Sequence, residues 1–192
     1  MNRLALLFIG VALSACGQSA PQRGPLADAR IGGPFALTGQ EGRVVRDTDF
    51  AGSYRLVYFG YTYCPDVCPV DLQQLMLGLK ELERSNPEKA RKIQPLFISV
   101  DPARDTPAVV REFTDSFHPR LIGLTGSPEE VETVVKAYGA YAQKGKENAP
   151  GAYLVDHTRT ATLFGPAGEP ITLINERGTP QEIAAELARW VP

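Results

Sequence analysis

Cysteine and histidine are scarce in this chain, with three Cys and two His among 192 residues. So few thiols exclude a disulfide-dense secreted scaffold. Charge of one sign is lacking too. The formal net charge is −2, and Lys and Arg are spread along the chain. There is no basic stripe for nucleic acid and no basic amphipathic helix for a membrane surface. The apolar run Leu4 to Leu13 is too short to cross a bilayer. No internal repeat or low-complexity tract is present. What these absences leave is one globular domain behind an N-terminal tail, long enough to bury a full core.

The tail reads as a targeting segment. One basic residue, Arg3, precedes the apolar run, and Leu13-Ser14-Ala15-Cys16-Gly17 follows it. Small residues before a cysteine resemble the lipobox of bacterial lipoproteins, where cleavage precedes the Cys and the thiol is lipidated. The expectation is a signal peptide over residues 1–15 and a lipidated Cys16 on a flexible tether through residue 30. The protein is then exported and membrane-anchored, facing the periplasm. In that oxidising compartment Cys64 and Cys68 are the thiols left free, and they tend to join unless a metal or a reductant intervenes.

The domain, residues 31–192, alternates strands and helices. Phe35–Leu37 and Arg43–Val45 flank a Gly-containing turn, a hairpin pattern. Leu56–Phe59, Pro95–Val100, Leu121–Leu124 and Tyr153–Val155 read as short apolar strands. Ala161–Phe164 and Ile171–Ile174 flank Gly165-Pro-Ala-Gly168, a second hairpin. Thr106-Pro107, Ser127-Pro128 and Thr179-Pro180 each set a capping hydroxyl before a Pro at the first helical position. Glu130 and Glu182 complete capping boxes. This order argues an α/β layered fold.

The segment Tyr58-Phe-Gly-Tyr-Thr-Tyr-Cys64-Pro-Asp-Val-Cys68-Pro-Val-Asp71 carries the chemistry. Pro69 is expected at the start of a helix running to about Arg84, with Cys68 as N-cap. Leu72, Leu75, Met76, Leu79 and Leu82 give that helix an apolar face. Cys64 then lies at the carboxyl end of a parallel strand, the edge where α/β sheets gather their sites. The helix start favours thiolate there. A thiol pair so isolated is a redox couple or a soft-metal clamp. A purely structural disulfide closing so short a loop adds little. His157, at a strand end, is by itself more readily structural than a ligand. His118 reads as a helix C-terminal cap. Asp66, Asp101 and Asp156 are second-tier candidates, Asp101 at the same sheet edge as Cys64. Tyr61 or Tyr63 is expected to rim the site.

Gly60-Tyr-Thr-Tyr-Cys64-Pro-Asp-Val-Cys68-Pro resembles the signature of the Sco/SenC/PrrC proteins. Ile31-Gly-Gly-Pro-Phe35, Val100-Asp101-Pro102-Ala-Arg-Asp105-Thr-Pro107, Gly123-Leu-Thr-Gly126 and Tyr153-Leu-Val-Asp156-His157-Thr158 match family motifs in the same order. Thr158 stands where many relatives have Ser. The resemblance implies a thioredoxin-like fold with an N-terminal hairpin extension and a C-terminal β-hairpin plus helix. It implies copper, Cu(I) and also Cu(II), bound by Cys64, Cys68 and His157. Thiolate and imidazole are donors that suit copper, and three soft ligands fall short of the four that structural zinc takes. Asp101 and Asp156 become candidates to orient the ligands.

The function implied is a metallochaperone that passes copper to the binuclear site of cytochrome c oxidase subunit II. Its alternative is a thiol-disulfide oxidoreductase that reduces the target's cysteines, with Cys64 and Cys68 as the redox pair and a Cys64–Cys68 disulfide when oxidised and metal-free. Whether the chain is an enzyme is left open by these two readings. Other periplasmic copper chaperones or thiol reductants complete the implied partners. Nucleic acid is not among them, and a monomer is expected.

Overall fold

The computed structural model describes residues 23–192. The expected signal segment, Cys16 and the first part of the expected tether lie outside the described residues. No helix among those described is long and apolar enough to cross a membrane.

Three parallel strands form the centre of the sheet: β3 (Tyr54–Gly60), β4 (Ile93–Ser99) and β5 (Ile122–Thr125). β3 and β4 are buried along nearly their whole length. Continuous apolar runs of this kind belong to strands covered on both faces. The hairpin of β1 (Ala36–Gly39) and β2 (Val44–Arg46) adds to β5 antiparallel. With β6 assigned to Ala142–Lys144 and β7 to Val155–His157, the hairpin of β8 (Ala161–Phe164) and β9 (Pro170–Ile174) adds to β3. The order is β2-β1-β5-β4-β3-β8-β9.

The helices are α1 (Val67–Ser85), α2 (Pro87–Arg91), α3 (Pro107–Asp115), α4 (Pro128–Ala137) and α5 (Pro180–Trp190). The face of β3 and β4 that carries Tyr58 and Phe97 receives α1 and α3. Tyr58 bonds Asp71 of α1, and Phe113 of α3 lies 5.2 Å from the Phe97 ring. The opposite face carries Phe59, whose ring lies 6.0 Å from Tyr138 just after α4, as strand alternation requires. α5 packs along α1, where Gly78 lets Ile183 approach to a point that a Cβ would occupy. This is the thioredoxin-like fold, with the hairpin extension and the terminal hairpin and helix in the places the sequence implies. The caps at Thr106, Ser127 and Thr179 are all present, and the latter two form capping boxes.

Three expectations are corrected. Helix α1 starts at Val67, so Cys68 lies in its first turn and is not the N-cap. Pro69 fits there because first-turn N–H groups have no helical acceptor. The acceptor that caps this turn is the Cys64 sulfur, 3.4 Å from the Cys68 N–H. The strand expected at Tyr153–Val155 is β7, shifted two residues on. It pairs with β6 in a separate two-stranded sheet and does not join the main one. The third correction concerns the tether, whose last residues are not free. The Leu26 N–H donates to the Ile171 carbonyl at 3.0 Å, and Gly24 packs directly on that carbonyl. The docked chain therefore begins ahead of Ile31.

Candidate metal centre

Three elements meet at the carboxyl edge of the sheet. β3 ends at Gly60 and delivers Cys64 in the loop that follows. The first turn of α1 brings Cys68 back over that strand end. β7 ends at His157. One ligand atom from each of Cys64, Cys68 and His157 lies within 4.8 Å of the others, the single such cluster of three potential ligands among the described residues. Gly60 is needed here, because a Cβ on it would sit 3.0 Å from the Cys68 sulfur.

The imidazole is set by its own backbone. His157 Nδ1 lies 2.8 Å from the Thr158 carbonyl. A carbonyl only accepts, so Nδ1 carries the hydrogen and Nε2 keeps its lone pair. That lone pair faces the Cys68 sulfur at 3.1 Å. The rings of Tyr58 and Tyr61 stand edge-on to the imidazole, at 6.4 and 5.7 Å. Burial lowers the His157 pKa from its ordinary value, which keeps the ring neutral and able to donate.

The thiols are less accessible than their place at a helix start implies. Cys64 is 8% exposed and Cys68 is fully buried. Burial pushes the Cys68 thiol well up, outweighing a backbone hydrogen bond from Tyr61 that favours the thiolate. Desolvation wins over the helix dipole because the dipole supplies only partial charge. A cation bound to this sulfur must displace a tightly held proton, so metal binding here releases a proton and strengthens as pH rises.

A charged pair lies beneath the cluster. Asp71, buried on α1, accepts from Arg159 Nη2 at 2.9 Å and Nε at 3.1 Å, and from the Tyr58 hydroxyl at 3.0 Å. Arg159 is two residues past His157 and Asp71 three past Cys68. The pair thus bolts the chain that carries the imidazole to the helix that carries the sulfur.

A family model described as SCO1/SenC matches residues 23–192. This chain belongs to the SCO1/SenC family. Protein SenC of Rhodobacter capsulatus is 44% identical over 158 residues, covering 82% of this chain and 69% of that protein. The human mitochondrial SCO1 homolog is 40% identical over 158 residues, covering 82% of this chain and 52% of its own length. The chain thus spans about half the length of the human relative it matches. Among solved structures, copper-bound Bradyrhizobium japonicum ScoI has a TM-score of 0.76 at 42% identity, covering 83% of this chain and 99% of that one.

Within this SCO1/SenC domain, the structure brings Cys64, Cys68 and His157 together and leaves the other candidates apart. Asp156 is exposed on β7, and the Thr158 carbonyl, not a carboxylate, orients the imidazole. Asp101 lies at the expected edge, but its carboxylate accepts from the Tyr153 hydroxyl at 2.7 Å and Arg104 Nε at 2.6 Å, and neither is a ligand candidate. Asp66 is exposed beside the cleft that holds Cys64 and His157. Tyr61, buried against His157, lines that cleft, while Tyr63 is exposed and is not part of its lining. His118 is buried at the other end of α1. The sequence reading missed Asp71 and Arg159. An acid three residues past Cys68, on a helix face that is otherwise apolar, was the available signal.

Proposed function

We propose that this chain is a copper metallochaperone that holds the ion between Cys64, Cys68 and His157 and delivers it to the binuclear copper site of cytochrome c oxidase subunit II. The observation that carries the reading is the convergence of two sulfurs and one imidazole nitrogen whose partner nitrogen is already spent on Thr158. Two thiolates and an imidazole are the donor chemistry of soft copper, and no carboxylate belongs to the cluster. Related Sco structures hold copper, which supports the same cargo here. Three ligands leave one side of the ion open to an incoming ligand, as transfer requires. Cys16, lipidated after export, would anchor the carrier to a membrane, facing the periplasm.

The test is the copper stoichiometry of the reduced chain, with X-ray absorption to count neighbours. One copper per chain with two sulfurs and one nitrogen is expected. His157→Ala should lose the nitrogen and copper delivery while its dithiol remains oxidisable. Normal oxidase metallation by that variant under limiting copper would overturn the chaperone reading.

A second reading rests on the two sulfurs themselves. The two sulfurs lie within 4.8 Å of each other, which supports a disulfide between them in the oxidised, metal-free chain. Two thiols would lose two protons and two electrons, and a disulfide in the target would take them up as two thiols. The more exposed Cys64 would attack. Against this stands the raised Cys68 thiol, since exchange needs thiolate.

A further inference from the structure

The segment Asp101-Pro-Ala-Arg104-Asp105 has no part in holding the ion. It connects β4 to α3 beside the Cys64 loop, and it touches both carriers of the ligands. Asp105, fully buried, accepts from the Thr62 N–H at 3.0 Å, the Thr62 hydroxyl at 2.6 Å and the Ser99 hydroxyl at 2.5 Å. That fixes the loop two residues ahead of Cys64.

Arg104 reaches the other carrier. Its guanidinium lies 3.7 Å from the Tyr153 ring centroid, 4.9 Å from Tyr63 and 5.7 Å from Tyr61. Its Nε donates to Asp101, which also takes the Tyr153 hydroxyl. Arg104 Nη2 is buried with no hydrogen-bond partner among the described residues. An orphan donor of this kind needs an account. Here the account is the surrounding rings, whose faces attract the cation in place of an acceptor atom.

The part being held needs an anchor. β6 and β7 form an isolated two-stranded sheet, which is marginal by itself. From Tyr141 to His157, only Tyr153 and Val155 are buried. Val155 and Tyr153 therefore supply the apolar hold of the hairpin that ends in His157, and the Arg104 wedge grips one of them.

We propose that Arg104 is a positioning residue for the metal centre. Its guanidinium, wedged between Tyr61 and Tyr63 of the Cys64 loop and Tyr153 of the His157 hairpin, sets the imidazole against the two sulfurs. The proposal rests on the copper reading for what the three ligands hold, and its first measurement does not need copper.

That measurement is amide hydrogen exchange on the reduced, metal-free full chain. In Arg104→Gln, amides of β6 and β7 should exchange about tenfold faster, the scale of one or two partly desolvated cation–π contacts. Amides of β3 and β4 should not change. The second measurement is Cu(I) affinity by competition with a chromophoric chelator. Arg104→Gln should bind about tenfold more weakly, and should add no loss in a His157→Ala background. Arg104→Lys keeps the charge beside Asp101 but not the planar stack, and should resemble the Gln variant. Should Arg104→Gln lose core protection, Tyr153→Leu removes the same wedge from the hairpin side and is judged by the same exchange. Unchanged hairpin exchange, an equal affinity loss with and without the imidazole, or full rescue by Lys would each overturn the proposal. A wild-type chain that takes no copper would end the copper reading, and hairpin exchange would still decide the role of Arg104.

Discussion

The two ends of α1 are built from the same parts and do different things. At the far end Glu83 of α1 meets His118 and Arg120. At the near end Asp71 of α1 lies beneath His157 and meets Arg159. In both places the arginine stands two residues after the histidine, and burial lowers the histidine pKa. The difference lies in the ring nitrogens. His118 Nδ1 accepts the Arg120 backbone N–H at 3.1 Å, and Nε2 faces Glu83 Oε2 at 3.3 Å. Its lone pair is spent inside the protein. His157 spends its N–H on Thr158 and keeps the lone pair for the sulfur side. Which nitrogen the backbone takes therefore decides which histidine is structural and which can be a ligand.

The largest effect expected from this comparison is on copper. His157→Ala should weaken Cu(I) binding more than about a hundredfold, beyond the usual cost of disturbing a ligand's supporting partner. His118→Ala should leave it unchanged in the same chelator competition. A matching loss from His118→Ala would break the comparison.

The next effect is on stability, read by urea unfolding of the metal-free chain. Asp71→Asn puts a neutral amide in place of the buried carboxylate that takes Arg159 and the Tyr58 hydroxyl, and with Arg159 itself a third exposed it should cost about 2 kcal/mol. Glu83→Gln should cost nearer 1 kcal/mol. Glu83 is a third exposed, and Arg120 keeps the carbonyls of Ala90 and Ile93. Equal costs would show that the two ends are held alike.

A smaller effect is on pH dependence. The folded chain holds His118 below the ordinary value of 6.5, mainly through burial, with Lys80 and Arg120 adding to it and Glu83 opposing. The unfolded chain then binds more protons below pH 6.5. Stability from this residue is complete above the unfolded value and is lost as pH falls from there through the folded one. In His118→Gln, the difference in urea midpoint between pH 8 and pH 5 should shrink. An unchanged difference would sink this account of His118.

The smallest effect is expected from removing residues 1–30. The deletion takes away the Leu26–Ile171 hydrogen bond, and residues 23–30 make no hydrogen bond to either histidine. Stability should fall by about 1 kcal/mol, measured by the same unfolding, and copper affinity should hold. A loss of copper binding would mean that the tail supports the centre.

Signals confined to a few neighbouring residues were legible in the sequence. Pro after a hydroxyl residue marks a helix start because the Pro lacks only an N–H that the first turn does not use. The Cys64–Cys68 spacing implied two sulfurs at one sheet edge, and they are there. The start of α1 was misplaced because the capping acceptor is a sulfur four residues back, which no hydroxyl pattern announces. β6 was missed because Gln143 and Lys144 carry no apolar alternation, and its partner β7 begins only at Val155, beyond a long loop. Asp71 and Arg159 are far apart in sequence, so although an acid on the apolar face of α1 signalled a buried charge, nothing local named Arg159 as its partner.

The sequence by itself determined the alternation of strands and helices, the caps of α3, α4 and α5, the paired thiols and the family to which the chain belongs. These depend on local sterics, hydrogen bonding within one turn, and residue types at fixed spacing. The family resemblance already named His157, but only the tertiary structure decided which of its nitrogens faces the sulfurs, that both sulfurs are buried, and that Asp71–Arg159 and Arg104–Tyr153 hold the imidazole's hairpin. These depend on groups that meet only when distant segments pack, where desolvation and the choice of hydrogen-bond partner have no counterpart in the unfolded chain.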